Sequence, residues 1–477
     1  MAQGVPDRRL MIATFAITSL ALFMTSLDNL VVTTALPVIR KSFNASLSEL
    51  EWIVNAYTLT FAVLLLTGAA LGDRFGRKRV FIIGLAIFTA GSAIAALSTE
   101  VTQLIIARAI QGVGGAIITP LSLTILSAAV PRERRALALG AWGGIAGLAI
   151  AIGPLVGGAI AEGLAWQWIF WLNVPIGLIA IPMAYARLNE SYGPSGKLDL
   201  PGLALASVGL LAVVWGLIRA NELGWTSPTI VGSFVVGAIL LVGFVAWEAR
   251  TAEPMLPLRL FRSRTFSAAN IVSMLMYFGM FGSIFLLAQF FQVVQGYSPI
   301  QAGLRTLPWT IMPIFVAPTA GLLSSRTGTR PLIFIGMAMM SVALAWLSVV
   351  TTPTVDYIVI VPAFIVAGIG MGLFFAPIAN VVLSAVRREE EGKASGANNA
   401  IRELGGVFGV AVLASVFSAN GSYATGQSFV DGLIPAMQIG AVVVGLGAVA
   451  ALALGGRTRA VEETVDEAAP EFEVAAA

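Results

Sequence analysis

Five charged side chains stand inside stretches that are otherwise apolar: Asp28, Arg108, Arg305, Arg402 and Glu403. A carboxylate in such a setting gains proton affinity from desolvation and loses it when a cation pairs with it. Asp28 opposite Arg108 is therefore a pair whose breaking and remaking could load and unload a proton. The plainer role for the two is a fixed ion pair that sets helix packing. Glu403 is a candidate second titratable site, and Arg402 beside it could instead pair with a neighbouring helix. The chain has no histidine and no cysteine. That excludes imidazole relays, His-based triads, thiolate nucleophiles, disulfides and Cys-ligated zinc. Any proton relay here must run on carboxylates, and no metal site is expected.

The elements that hold these charges are long apolar runs. Of 477 residues, 57% are apolar and 11% charged, against roughly 25% charged in a soluble domain. A bilayer-crossing helix needs about 20 apolar residues. Runs of that kind lie at 10–36, 51–72, 79–98, 101–127, 136–160, 167–186, 200–219, 228–247, 266–292, 300–323, 331–350, 357–383, 394–418 and 433–455. An all-α polytopic membrane protein with fourteen transmembrane helices follows, its first run retained as a span because no cleavage pattern succeeds it.

Basic residues test that count. With the N-terminus inside, 22 of the 28 Lys and Arg fall in inner segments, among them Arg8, Arg9, Arg132, Arg135, Lys197, Arg388, Arg457 and Arg459. Arg40, Lys41 and Arg219 fall outside. This is the positive-inside pattern, and it places both termini in the cytoplasm. The net charge of +3 thus reads as loop anchoring to the lipid bilayer, and no nucleic acid partner is expected. Trp166, Trp168 and Trp171 mark an outer aromatic belt, and the six acids after Val461 mark a disordered tail. No GxxxxGK[ST] loop occurs, and the longest inner connection, about 248–265, is too short for an enzyme domain. Neither an enzyme nor a cofactor is expected.

A repeat lies across the chain. GAALGDRFGRKRVFIIG (68–84) and AGLLSSRTGTRPLIFIG (320–336) align Arg74 with Arg326, Gly76 with Gly328 and Gly84 with Gly336 at an offset of 252. Two six-helix halves, 1–190 and 251–456, are expected, with two inserted helices at 191–250 and an acidic tail at 457–477. Parallel repeats with a site at their interface are a transporter arrangement.

Gly68, Gly72, Asp73, Arg74, Gly76, Arg77 and Lys78 stand as in the inner-loop signature of the major facilitator superfamily, which the chain resembles. Arg108, Gly112 and Gly115 in LIIARAIQGVGGA resemble its fourth-span motif, and GLAIAIGPLVGG (147–158) resembles the fifth-span signature of its antiporters. SLDNLVVTTALPVI (26–39) and WQWIFWLNVPIG (166–177) are similar to signatures of the fourteen-span drug:proton antiporter branch. The resemblance implies a proton-driven exporter of lipophilic or cationic compounds in a bacterial cytoplasmic membrane, working as a monomer. A dedicated exporter of one metabolite or antibiotic is the alternative, ahead of a channel or an uptake transporter.

The resemblance also implies roles. Asp28 becomes a coupling or substrate-cation site and Arg108 part of the proton pathway, while Asp73 and Arg77 form a gating latch. Ser325 replaces Asp73 in the second copy, so the latch is expected in one half only. Asn29, Thr33 and Thr34 depart from the usual neighbours of Asp28, and Glu403 stands where glutamine is at least as usual. Gly147, Gly153, Pro154, Gly157 and Gly158 form the antiporter helix motif, whose small residues allow close helix approach. Tyr57, Met280, Gln289, Gln292, Trp309 and Arg402, with Asp28 and Glu403, are candidates to line a substrate cavity.

Overall fold

Backbone groups in hydrocarbon have no water to bond, so each span must satisfy its own N–H and C=O groups as a helix. A computed structural model of the chain describes residues 8–193, 198–387 and 390–455, apart from the side chains at 132, 133, 135–137 and 325. Arg388, Lys197 and the tail at 457–477 lie outside the described residues, as does the side chain of Ser325.

Fourteen helices among the described residues are long and apolar enough to cross a membrane. Span 1 is Arg8–Phe43, span 2 Leu47–Phe75, span 3 Arg77–Ala96, span 4 Val101–Ala129, span 5 Ala138–Gly163, span 6 Trp168–Arg187 and span 7 Leu200–Leu223. Span 8 is Pro228–Glu248, span 9 Arg264–Val294, span 10 Pro299–Ser324, span 11 Thr329–Val350, span 12 Tyr357–Ser384, span 13 Glu391–Asn420 and span 14 Gly426–Ala451. Several run past the apolar stretch read from sequence. Span 1 carries Arg40 and Lys41 in its last turn, because long basic side chains can reach the interface from within a helix.

Local signals explain where helices start and stop. Ser46 and Ser298 close capping boxes with Glu49 and Gln301 at the heads of spans 2 and 10. Gly76, at φ 105°, turns the chain from span 2 into span 3, and Gly328, at φ 84°, does the same from span 10 into span 11. Both glycines adopt a backbone that side chains disfavour, at the two positions that the repeat aligns.

Spans 1–6 pack among themselves, as do spans 9–14. The two groups meet chiefly where span 2 packs on span 13 and span 5 on span 10. Span 7 packs on spans 2, 8 and 13, using Val214 and Ile218 in one apolar cluster with Leu59, Val63, Val407 and Ala411. Span 8 touches little besides span 7 and leaves Val235, Val236, Ile239 and Val242 exposed, as a lipid-facing helix would. Trp166 departs from the belt reading: it is buried against the rings of Phe43 and Phe170, whereas Trp168 is exposed.

Candidate functional site

Arg108 reaches from span 4 to span 1 and donates from Nη1 to Asp28. Both residues are almost fully buried, at 1% and 2% exposure. An ion pair in a dry interior must have its remaining hydrogen-bonding groups satisfied to be tolerated. Here they are. Arg108 also donates from Nε to the Ile53 carbonyl at 3.2 Å and from Nη1 to Gln111 at 2.9 Å. Asp28 Oδ1 accepts from Asn173 at 2.8 Å and from Gln111 at 3.2 Å, and Gln111 donates on to Ser92 at 2.7 Å.

The arrangement draws on five spans of the first half. Arg108 and Gln111 are three residues apart and so share a helix face, and Asn173 begins the main helical segment of span 6 after the break at Leu172. Gln111, Asn173 and Ser92 were missed in the sequence because neutral polar residues barely interrupt an apolar run. The three-residue spacing from Arg108 was the available signal for Gln111. Aromatic faces complete the enclosure: the Arg108 guanidinium carbon lies 4.3 Å from the Tyr57 ring centroid and 5.8 Å from that of Phe170. Tyr57 is therefore a wall of this site, and its hydroxyl donates to the Thr25 carbonyl at 3.3 Å.

Glu403 and Arg402 form a separate locus on span 13. Adjacent helical residues point about 100° apart, yet Arg402 Nε comes within 3.6 Å of Glu403 Oε1. The Arg402 guanidinium carbon also sits 5.2 Å from the Tyr277 ring centroid. The Arg402 side chain keeps 36% exposure against 11% for Glu403, so the cation faces open space and the acid is tucked beneath it.

One face of span 5 reports how the two halves stand. Residues 140, 144, 147, 151, 154 and 158 recur at intervals of four and three, a single helical stripe. At the outer end the stripe touches span 10. A Cβ on Gly158 would lie 2.3 Å from the Pro299 carbonyl oxygen, and one on Gly303 would lie 2.3 Å from that of Pro154. Thr310 donates to the Ala151 carbonyl at 3.0 Å. Below that level the stripe has no close neighbour: Gly147, Gly144 and Gly140 have nothing within 4 Å of a Cβ position. Gly147 thus differs from the close-packing role expected of it, whereas Gly153 packs on Leu30 and Gly157 on the Val31 backbone of span 1.

Further bonds close the outer side. Glu162 accepts from the Ile300 amide at 3.0 Å, and Gln292 of span 9 donates to the Thr34 carbonyl of span 1 at 2.8 Å. Gln289 accepts from the Tyr423 hydroxyl. Gln292 therefore bridges the two halves, while Gln289 is buried and bonded within the second half rather than lining a cavity. Met280 and Trp309 are buried at 3% and 2% exposure, Trp309 beside Phe364, so neither lines open space in this conformation.

At the inner loop, Gly68 and Gly72 pack against the Ala116 carbonyl and the Leu121 side chain of span 4. Asp73 pairs with Arg77 at 2.8 Å. The Arg77 amide donates to the Ser191 carbonyl at 2.9 Å, and the Gly193 amide donates to the Asp73 carbonyl at 3.1 Å. Arg74 is exposed over Phe75. Among the described residues these ties stay within the first half and the connection after span 6, rather than latching onto the second half.

A fourteen-span helical fold whose halves meet closely at the outer ends of spans 5 and 10, with a sealed ion pair in the first half, is the arrangement of a membrane transporter built from two repeats. Residues 18–410 match the Major Facilitator Superfamily, and the chain belongs to that family. It is 33% identical to the tetracenomycin C resistance and export protein of Streptomyces glaucescens, over 83% of this chain and 74% of that one. It is 34% identical to the multidrug resistance protein Stp of Mycobacterium tuberculosis, over 86% and 76%. The methylenomycin A resistance protein of Bacillus subtilis is 34% identical over 88% and 90%. Among solved structures, an auto-inhibited POT family peptide transporter superposes with a TM-score of 0.67 at 17% identity, over 93% and 96% of the two chains. An inward-facing, unoccupied bacterial homologue of Spinster gives 0.66 at 17% identity, over 94% and 97%. These two likenesses concern the fold alone.

Proposed function

We propose that the protein is a proton-coupled antiporter that exports drugs or other lipophilic and cationic compounds across the bacterial cytoplasmic membrane. It needs no cofactor and carries out no enzymatic step; the proton gradient drives it. The observation that carries this reading is the Asp28–Arg108 pair, buried and fully bonded within the first half.

In the mechanism, Asp28 takes a proton on its carboxylate when the outer side opens. The neutral acid no longer holds Arg108 by charge, and Arg108 keeps its bonds to Ile53 and Gln111 while its face rests on Tyr57. The freed pair shifts spans 1 and 4 against each other, biasing the halves toward inner opening. Release of the proton on the inner side restores the pair. Glu403, tucked beneath Arg402, serves as a second carboxylate, open to a cationic substrate once Arg402 swings aside. An intramembrane charge is costly enough that such sites mark function by default.

Resistance to single antibiotics among the relatives favours a second reading, a dedicated exporter of one compound. Everted vesicles holding the wild type, Asp28→Asn or Glu403→Gln, loaded with fluorescent cationic dyes under an imposed pH gradient, test both readings. Gradient-driven dye accumulation that disappears in Asp28→Asn is expected. Unchanged accumulation in that variant would remove the coupling role, and accumulation that follows ATP instead would remove the proton drive. Refusal of every dye, with transport of one antibiotic, would favour the dedicated exporter.

A further inference from the structure

Glu51, near the outer end of span 2, takes no part in the Asp28 site. It is 2% exposed, it enters none of the ion pairs found among the described residues, and its Oε2 atom is buried without a hydrogen-bond partner. One turn along the same helix face, Asn55 is fully buried, with both side-chain polar atoms unpartnered. Three buried polar atoms without partners at one place are unusual in a folded protein and call for a cause.

The groups around Glu51 belong to the outer closure. Arg40, in the last turn of span 1, lays its guanidinium carbon 3.6 Å from the centroid of the Tyr423 ring, and its Nε is buried without a partner. Lys41 beside it is exposed. Tyr423, in the connection between spans 13 and 14, donates to Gln289 of span 9. Burial raises the Tyr423 hydroxyl pKa; Arg40 lowers it and Glu51 raises it. From span 7, Glu222 acts on Glu51 with like charge, although it is itself held by Ser48 at 2.7 Å and Arg219 at 2.5 Å.

A carboxylate anion in this position would have almost no water and no paired cation, which is strongly unfavourable. A neutral acid would not meet that penalty, and Asn55 offers an acceptor one turn away. We propose that Glu51 is an outer proton-loading site that controls the outer closure. It holds a proton on its carboxyl while Arg40 of the first half is stacked on Tyr423 of the second, and gives that proton to external water when they part. Closing the gate again requires a proton from outside, so the halves shut only on a loaded carboxyl. Only the O–H bond is made and broken. The inference rests on the alternating-access reading and adds to Asp28 and Glu403 a third carboxyl, on the outer side.

The absence of cysteine in the chain gives a direct test. Spin labels at Ser42→Cys and Ala424→Cys, both exposed positions flanking the closure, report its width in nanodiscs by pulsed EPR. With wild-type Glu51, the short distance should dominate in acid and yield to a longer one in alkali, by up to about tenfold per pH unit for one proton. Glu51→Gln should stay at the short distance throughout, and Glu51→Asp should restore the titration. Asp28→Asn, which abolishes gradient-driven export in the reading above, should keep it. A titration unchanged in Glu51→Gln, or lost in Asp28→Asn, or absent with Glu51 in place, overturns the proposal. Dye export that ignores the proton gradient overturns the antiporter reading instead, and leaves the EPR titration to be judged separately.

Discussion

Gly303 rests on the carbonyl of Pro154, so closely that a Cβ there would stand 2.3 Å from the oxygen. The contact joins span 10 to span 5 across the two halves. A proline inside a helix bends it, and the facing glycine lets another backbone approach at that point. The outer closure therefore depends on main chain meeting main chain, with no room for a methyl group between.

Gly303→Ala and Gly158→Ala should weaken that closure. Overpacking of a tight contact costs about 1–3 kcal/mol, which would reduce the closed population by roughly five- to 150-fold. Export should fall accordingly while expression and folding are kept. Gly147→Ala, on the same stripe but facing open space, should leave dye export near wild type. Equal loss in all three variants would contradict the divergence of spans 5 and 10.

Removing Arg108 strands a buried carboxylate. Arg108→Ala should cost about 3–5 kcal/mol of stability, read as a lower unfolding temperature, because it leaves the Asp28 charge uncompensated. Adding Asp28→Asn should recover much of that loss without restoring export. A single variant that melts with the wild type would mean that Asp28 is not charged beside it.

The head of span 3 has its own anchor. Glu190, beyond the end of span 6, accepts from the amides of Lys78 at 2.9 Å and Arg79 at 3.2 Å. A carboxylate on free N–H groups at a helix start complements the local dipole. Glu190→Ala should cost about 1 kcal/mol, as for other caps, and Glu190→Gln less. Gly76→Ala should cost more, since φ there is 105° and its Cβ would stand 2.7 Å from the Glu190 carboxyl carbon. Thermal unfolding of the three variants ranks them.

On the inner surface, a hydrogen bond from Arg387 holds the Glu390 carboxyl below the ordinary carboxylate range, with help from the charge of Arg259. A lowered folded-state pKa stabilises above the unfolded value, and the gain is lost as pH falls through the folded one. Acidification through and below the ordinary carboxylate range should therefore loosen the tie between Arg259 and Glu390. Glu390→Gln should show a smaller acid-dependent fall in unfolding temperature, and high salt should shrink the difference. An identical acid slope in wild type and variant would rule the tie out.

Much of this fold could be read from composition, because lipid requires helices and length then counts them. The meeting of Asp28 with Arg108 was legible from depth alone: both lie a similar number of residues below the outer surface. The partners that make the pair tolerable were not. Asn173 and Gln111 are neutral, and their relevance comes from which helix faces converge. Glu51 was hidden for another reason: it begins the apolar run read as span 2, where an acid passes for an interfacial residue, and only the added turn from Leu47 draws it inward. Gly147 shows the converse, since a motif marks a residue without saying which end of a helix finds its neighbour.

The lower part of the span 5 stripe has a further consequence. Gly140, Gly144 and Gly147 present bare main chain to open space, in a helix whose amides are already engaged with their own carbonyls. Such a wall offers a passing molecule dispersion contact and almost no directional donors. It can sort cargo by girth and flatness, but has little means of telling one functional group from another.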